Sequence, residues 1–145
     1  MVDIIVTGHG QFSEGLVSAL ELIAGPQESV QNVNFLESDS TELLNEKLSA
    51  ALANTGSEVL ILTDLQGGSP FKEAVMLKMQ MPEKNIEVIS GTNFPLLLMS
   101  TLTPADSALE LAESLIQQGK EAIARYEYVE HVQVDSEDED FEDGI

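Results

Sequence analysis

At 145 residues and without a cysteine, the chain has the length of one domain and can form neither a disulfide framework nor a thiolate metal site. Its formal charge of -20, from 26 acidic and 6 basic residues, makes nucleic acid and anionic membrane poor partners and favours a protein with a basic docking face. No apolar run reaches membrane-spanning length, and Asp3 stands where a secretory leader would carry positive charge, so a soluble, untargeted, cytoplasmic protein is expected.

Residues 4–7 favour a buried strand that runs into Gly8-His9-Gly10, and an amphipathic helix follows over 12–23 with Phe12, Leu16, Ala19, Leu20 and Ile23 on one face. Gly25-Pro26 stops it. Val30, Val33, Phe35 and Leu36 mark a second strand, and Asp39 three residues before Glu42 resembles a capping box opening a helix with Leu44, Leu48, Ala51 and Leu52 inward. The third strand, residues 59–63, is apolar without alternation, as a parallel strand covered on both faces should be. After Asp64-Leu65-Gln66-Gly67-Gly68, Ser69 is placed as N-cap and Pro70 as first residue of a helix to about Met79. A fourth strand spans 86–89, and Gly91-Thr92-Asn93 leads into a helix capped by Asn93 that tolerates Pro95 in its first turn.

A final helix is expected over 106–125 with Leu109, Ala112, Ile116 and Ile123 inward. Residues 126–134 alternate and read as a fifth strand, antiparallel at an edge or lent to a second subunit, because the connection before it is too short for a crossover. Seven acids crowd the last eleven positions, and the rest of the chain still carries 13 net negative charges. The reading is one domain over 1–134 and a disordered acidic tail over 135–145.

Alternation of strands and helices means a mostly parallel, doubly wound sheet with helices on both faces. In strand order 2-1-3-4 the switch point, where such sheets carry their sites, falls between the strands ending at His9 and Asp64. A carboxylate beside an imidazole fixes its tautomer and leaves the other nitrogen as nucleophile or base. Gly67, Gly68 and Ser69 at a helix start add backbone N–H groups, a hydroxyl and a positive dipole end, which suit a phosphoryl group. Read blandly, His9 fills a turn and Ser69 only caps a helix. Nucleotide-binding glycine fingerprints are absent, and two donors are too few for a metal site, so neither metal nor cofactor is expected. His131 reads as a surface strand residue, and Met76, Met79 and Met81 as packing or partner surface.

Thr7-Gly8-His9-Gly10, then Asp64-Leu65-Gln66-Gly67-Gly68-Ser69-Pro70-Phe71, then Ile89-Ser90-Gly91-Thr92-Asn93-Phe94-Pro95 resemble the enzyme IIA domain of the mannose family of the bacterial sugar phosphotransferase system. The resemblance covers residues 1–134. It implies that His9 is phosphorylated on Nε2 by the phosphohistidine carrier HPr and passes the group to a IIB domain, with membrane IIC and IID components further down the relay. It implies that Asp64 bonds the other ring nitrogen, that Ser69 helps bind the phosphoryl group, and that the domain is a homodimer with an exchanged C-terminal strand. Two departures stand out. Some members continue through a Pro/Ala-rich linker into IIB, whereas an acidic tail follows here, so a separate IIB polypeptide is expected; and Lys72 follows Phe71 where a family member has asparagine. Two other readings compete: a non-catalytic dimeric module that senses an anion, and the phosphotransfer subunit of dihydroxyacetone kinase systems, whose turn is typically Ser-His-Ser.

Overall fold

The computed structural model describes residues 1–130. Four strands and five helices follow one another as β1 (Asp3–His9), α1 (Phe12–Ala24), β2 (Val30–Phe35), α2 (Thr41–Ala53), β3 (Glu58–Thr63), α3 (Ser69–Gln80), β4 (Asn85–Ile89), α4 (Phe94–Leu102) and α5 (Ala108–Glu121). The sheet has the order β2-β1-β3-β4, every pair parallel. The expected switch point between β1 and β3 is therefore real, with Thr7 level with Thr63 in the register.

Alternate residues of the central strands feed two cores. Ile4, Val6, Leu60 and Leu62 pack with Leu20 of α1, Leu96 and Leu97 of α4, and Leu111 and Leu115 of α5. Ile5, Val59 and Ile61 pack on the other face with Leu44, Leu48 and Leu52 of α2 and Ala74 and Leu77 of α3. Residues 59–63 of β3 are all buried, which is why that strand shows no polar alternation. Each fully buried leucine or isoleucine contributes about 1.5–3 kcal/mol, so the two cores together hold both layers to the sheet.

Three boundaries differ from the sequence reading. Helix α2 is capped by Ser40, whose hydroxyl accepts the Leu43 N–H at 3.1 Å, rather than by Asp39. Asp39 is committed elsewhere: it accepts the Leu36 N–H at 2.9 Å and pairs with Lys47 at 2.7 Å. Helix α5 is shorter than expected, because Ser107 caps it by accepting the Glu110 N–H at 3.1 Å, and it ends before residue 122.

Its inward face also differs. Ala108, Leu111, Ala112, Leu115 and Gly119 are buried, whereas Leu109 and Ile116 stay 55% and 41% exposed and Ile123, past the helix end, 76%. The helix carries two apolar stripes that share Ala112, and spacing alone does not say which one meets the sheet.

Residues 126–130 are exposed and belong to no strand, so β4 is an edge among the described residues. The rest of the fifth strand expected over 126–134, His131 and the acidic segment 135–145 lie outside the described residues. Among the described residues no helix is long and apolar enough to cross a membrane.

Candidate active site

Because β1 and β3 are adjacent and parallel, the turns that leave them emerge side by side at their carboxyl ends. The His9 backbone N–H donates to Asp64 Oδ2 at 2.8 Å, and His9 Nδ1 lies 2.8 Å from the same oxygen. Asp64 Oδ1 accepts the Leu65 N–H at 2.8 Å. Burial pushes the Asp64 carboxyl up, but the His9 backbone N–H, the His9 ring and the Leu65 N–H together outweigh it and hold the pKa below the ordinary carboxylate value. An ionised carboxylate can only accept, so the hydrogen-bond network assigns the ring proton to Nδ1 and leaves a lone pair on Nε2. The imidazole is half open to solvent, its side chain 47% exposed against 16% for Asp64.

Two glycines make this geometry possible. A Cβ on Gly8 would stand 2.5 Å from Phe12 Cδ1 and 3.0 Å from Asp64 Cγ. A Cβ on Gly68 would stand 2.7 Å from His9 Cε1 and 3.4 Å from Nε2, so a bare backbone there lets the start of α3 lie against the Nε2 edge of the ring. Gly67 turns the chain with a φ of 82°. The sequence reading makes Ser69 the N-cap; the structure puts Gly68 there, in extended conformation, with Ser69 and Pro70 as the first two helical residues. The Gly68 carbonyl already accepts the Lys72 N–H at 2.9 Å, so the helix begins one residue earlier than expected. Ser69 makes no capping bond, and as first-turn residues Ser69 and Phe71 carry N–H groups without an intrahelical acceptor. His9, Asp64, Gly67, Gly68 and Ser69 thus come together in one place.

The third motif supports this place from behind. Gly91 N–H donates to the Asp64 carbonyl at 3.0 Å and Thr92 N–H to the Thr63 carbonyl at 3.1 Å, fixing the loop after β3. Asn93 accepts the Leu96 N–H at 3.0 Å, capping α4 as expected, and donates to the Gly119 carbonyl of α5 at 2.9 Å. One residue that sequence reasoning missed is Phe35, whose ring meets the imidazole edge-on at a centroid distance of 5.8 Å. Its register opposite His9 was the available signal, and only the strand order reveals it. Leu36, next to Phe35 in the chain, and Leu65, next to Asp64, are 39% and 60% exposed.

The sheet order and the aspartate-held histidine at its switch point define the class: a doubly wound α/β domain that presents a half-open imidazole in a turn. Residues 3–115 match the EIIA-man family, described as the PTS system fructose IIA component. The chain is 33% identical over 126 residues to the mannose-specific EIIAB component of Escherichia coli (strain K12), which covers 84% of the chain but only 38% of that relative. It is 30% identical over 100 residues to the fructose-specific EIIA component of Bacillus subtilis (strain 168), covering 68% of the chain and 67% of the relative. A crystal structure of the phosphotransferase system component EIIA from Streptococcus agalactiae superposes with a TM-score of 0.83 at 35% identity, over 86% of this chain and 97% of that one. The chain belongs to the EIIA-man family and spans well under half the length of the mannose-specific EIIAB relatives that it matches.

Proposed function

We propose that this domain is a phosphocarrier that accepts a phosphoryl group on His9 Nε2 from phospho-HPr and passes it to a IIB domain during coupled sugar uptake and phosphorylation. The observation that carries the reading is the double use of Asp64 Oδ2, which holds both the backbone and Nδ1 of His9 at 2.8 Å while Nε2 faces the α3 N-terminus beside Gly68. In the forward step the Nε2 lone pair attacks the phosphorus of a phosphoimidazolium on HPr. The N–P bond to HPr breaks, its electrons return to a neutral imidazole that keeps its own proton, and His9 becomes the phosphoimidazolium. Asp64 stabilises that cation through Nδ1–H, and the N–H groups of Ser69 and Phe71, the Ser69 hydroxyl and the helix dipole receive the phosphoryl oxygens, a role that their place in the first turn of α3 supports. Transfer to IIB reverses the same step, so no cofactor or metal is called for.

Leu36 and Leu65 form the apolar part of the docking surface, and the acidic remainder attracts a basic carrier. Such a relay works in the cytoplasm, with membrane IIC and IID components beyond IIB. The second apolar stripe of α5 and the bare edge of β4 support a homodimer in which residues 126–134 of one subunit cover the other.

Incubation with phosphoenolpyruvate, enzyme I and HPr, followed by intact mass measurement, tests the assignment. The wild type should gain one phosphoryl group and His9→Ala none. A His9→Ala chain that still gains the mass would remove His9 from the role, and a wild type that gains none would leave a binding module instead.

A further inference from the structure

Six cations serve a chain of net charge -20, and most have a visible structural partner. Lys47 pairs with Asp39 at 2.7 Å, Lys78 with Glu87 at 2.7 Å and Arg125 with Glu127 at 3.7 Å. Lys84 donates to the carbonyls of Thr55 and Gly56 at 3.0 and 2.9 Å. Lys120 lies in the last turn of α5, where the helix dipole favours a cation. Its ammonium and that of Lys72 have no hydrogen-bond or ion-pair partner among the described residues, and Lys72 lacks a favourable helix end as well. It stands at the fourth position of α3, close to the positive end of the dipole, where a cation is disfavoured. Its acidic neighbour Glu73 is occupied with Asn45 at 3.1 Å on another face.

What Lys72 does have is position. Its N–H bonds the Gly68 carbonyl at 2.9 Å, so it sits one helical turn above Gly68. Side chains on a helix lean toward its N-terminus and cover the preceding turn, which here is Gly68 and Ser69. Gly68 has no side chain to block the way, and the space where its Cβ would be is 3.4 Å from His9 Nε2. A compact cation on a flexible four-carbon stem can therefore reach back across Gly68 toward the atom that would carry the phosphoryl group.

Resting on the phosphocarrier reading, we propose that Lys72 is a second phosphoryl-binding residue. Its ammonium swings over Gly68 to the phosphoryl oxygens once the group is on His9 Nε2 and lets go when the group leaves. Lys72 forms no covalent bond and gives up no proton; it supplies one positive charge to a group otherwise met by N–H dipoles, while Asp64 bonds the ring on its other side, at Nδ1. Its flexibility matters, since a carrier must release what it binds.

The test compares the full-length wild type, Lys72→Gln and Lys72→Arg, each phosphorylated once by phospho-HPr and once by phosphoramidate, a small donor with no docking surface. Phosphorus NMR then follows the ionisation of the bound phosphoryl group with pH. Loss of the cation should raise that ionisation by about half a pH unit or more in Lys72→Gln, and Lys72→Arg should restore most of it. Acceptance from phospho-HPr should fall roughly tenfold in Lys72→Gln, on the scale of a single charge contact to a transferring phosphoryl group. A phosphorylated Lys72→Gln that titrates like the wild type overturns the inference, whether or not its transfer from HPr is slowed, because an effect confined to HPr means docking alone. A wild-type chain that takes no phosphoryl group from either donor overturns the phosphocarrier reading and this inference with it.

Discussion

At the scale of single residues, the site depends on one missing methyl group. A Cβ at position 68 would stand 2.7 Å from His9 Cε1, inside any real carbon contact, so in Gly68→Ala the half-exposed ring must swing away and leave Asp64. Displacement of a reacting group by an ångström costs on the order of a hundredfold in rate. Gly68→Ala should therefore accept phosphoryl groups 10- to 100-fold more slowly, on the scale of such a displacement, while its melting temperature hardly moves, since a surface ring can yield. A large drop in melting temperature with normal transfer would mean that the backbone moved instead. Asp64 makes a pH-dependent contribution of definite sign. Its folded pKa is depressed, so the stabilisation is complete above the unfolded value of about 3.9 and is lost as the pH falls through the lower folded value. Urea unfolding of wild type and Asp64→Asn should show a gap at pH 7 that narrows at pH 3; a gap independent of pH would mean the carboxylate's charge contributes nothing to the fold.

At the scale of elements, Asn93 couples the helices α4 and α5. Its carbonyl oxygen caps α4 and its amide satisfies the Gly119 carbonyl, where α5 approaches so closely that a Cβ on Gly119 would stand 3.0 Å from Leu96 Cδ1. Asn93→Ala loses a cap, about 1 kcal/mol, and leaves a carbonyl short of a donor, so a total loss of about 1–3 kcal/mol is expected from urea titration. A change within about 0.5 kcal/mol, the range of an ordinary surface substitution, would show that water replaces both bonds. The four described strands, the helices and the sheet order were legible because apolar runs and glycine or proline breaks mark each element, whereas the strand expected over 126–134 was not found in residues 126–130. The pairing of His9 with Asp64 was legible too, since it follows from the strand order. Caps were less legible. Asp39 and Ser40, or Gly68 and Ser69, differ by one residue's backbone angles, which composition does not encode. The buried face of α5 was ambiguous for a different reason: both its stripes are apolar, and only tertiary packing chooses between them.

At the scale of the whole molecule, charge and apolar surface pull in opposite directions. A chain carrying -20 repels its own copy, so a homodimer must be held by apolar contact, and the described residues offer that contact where α5 flanks the β4 edge. Ile116 and Ile123 stay exposed there and line, with Ile89, Leu96 and Lys120, a groove of about 190 Å³ at the carboxyl end of β4. If residues 126–134 of a second copy cover this face, two expectations follow. Added salt should tighten the dimer, because screening weakens repulsion between acidic surfaces while leaving apolar burial intact. Ile116→Glu should loosen it about tenfold or more, since it buries a charge in the interface, yet leave the monomer folded because the position is already 41% exposed. Stopping the chain after Arg125 should give a monomer at any salt, whereas stopping after Asp135 should keep the dimer, because only the first cut removes the covering segment. Sedimentation at two salt concentrations reads all of these together. A dimer that survives loss of residues 126–145, or that ignores Ile116→Glu, places the interface on another face and leaves the α5 stripe without a partner.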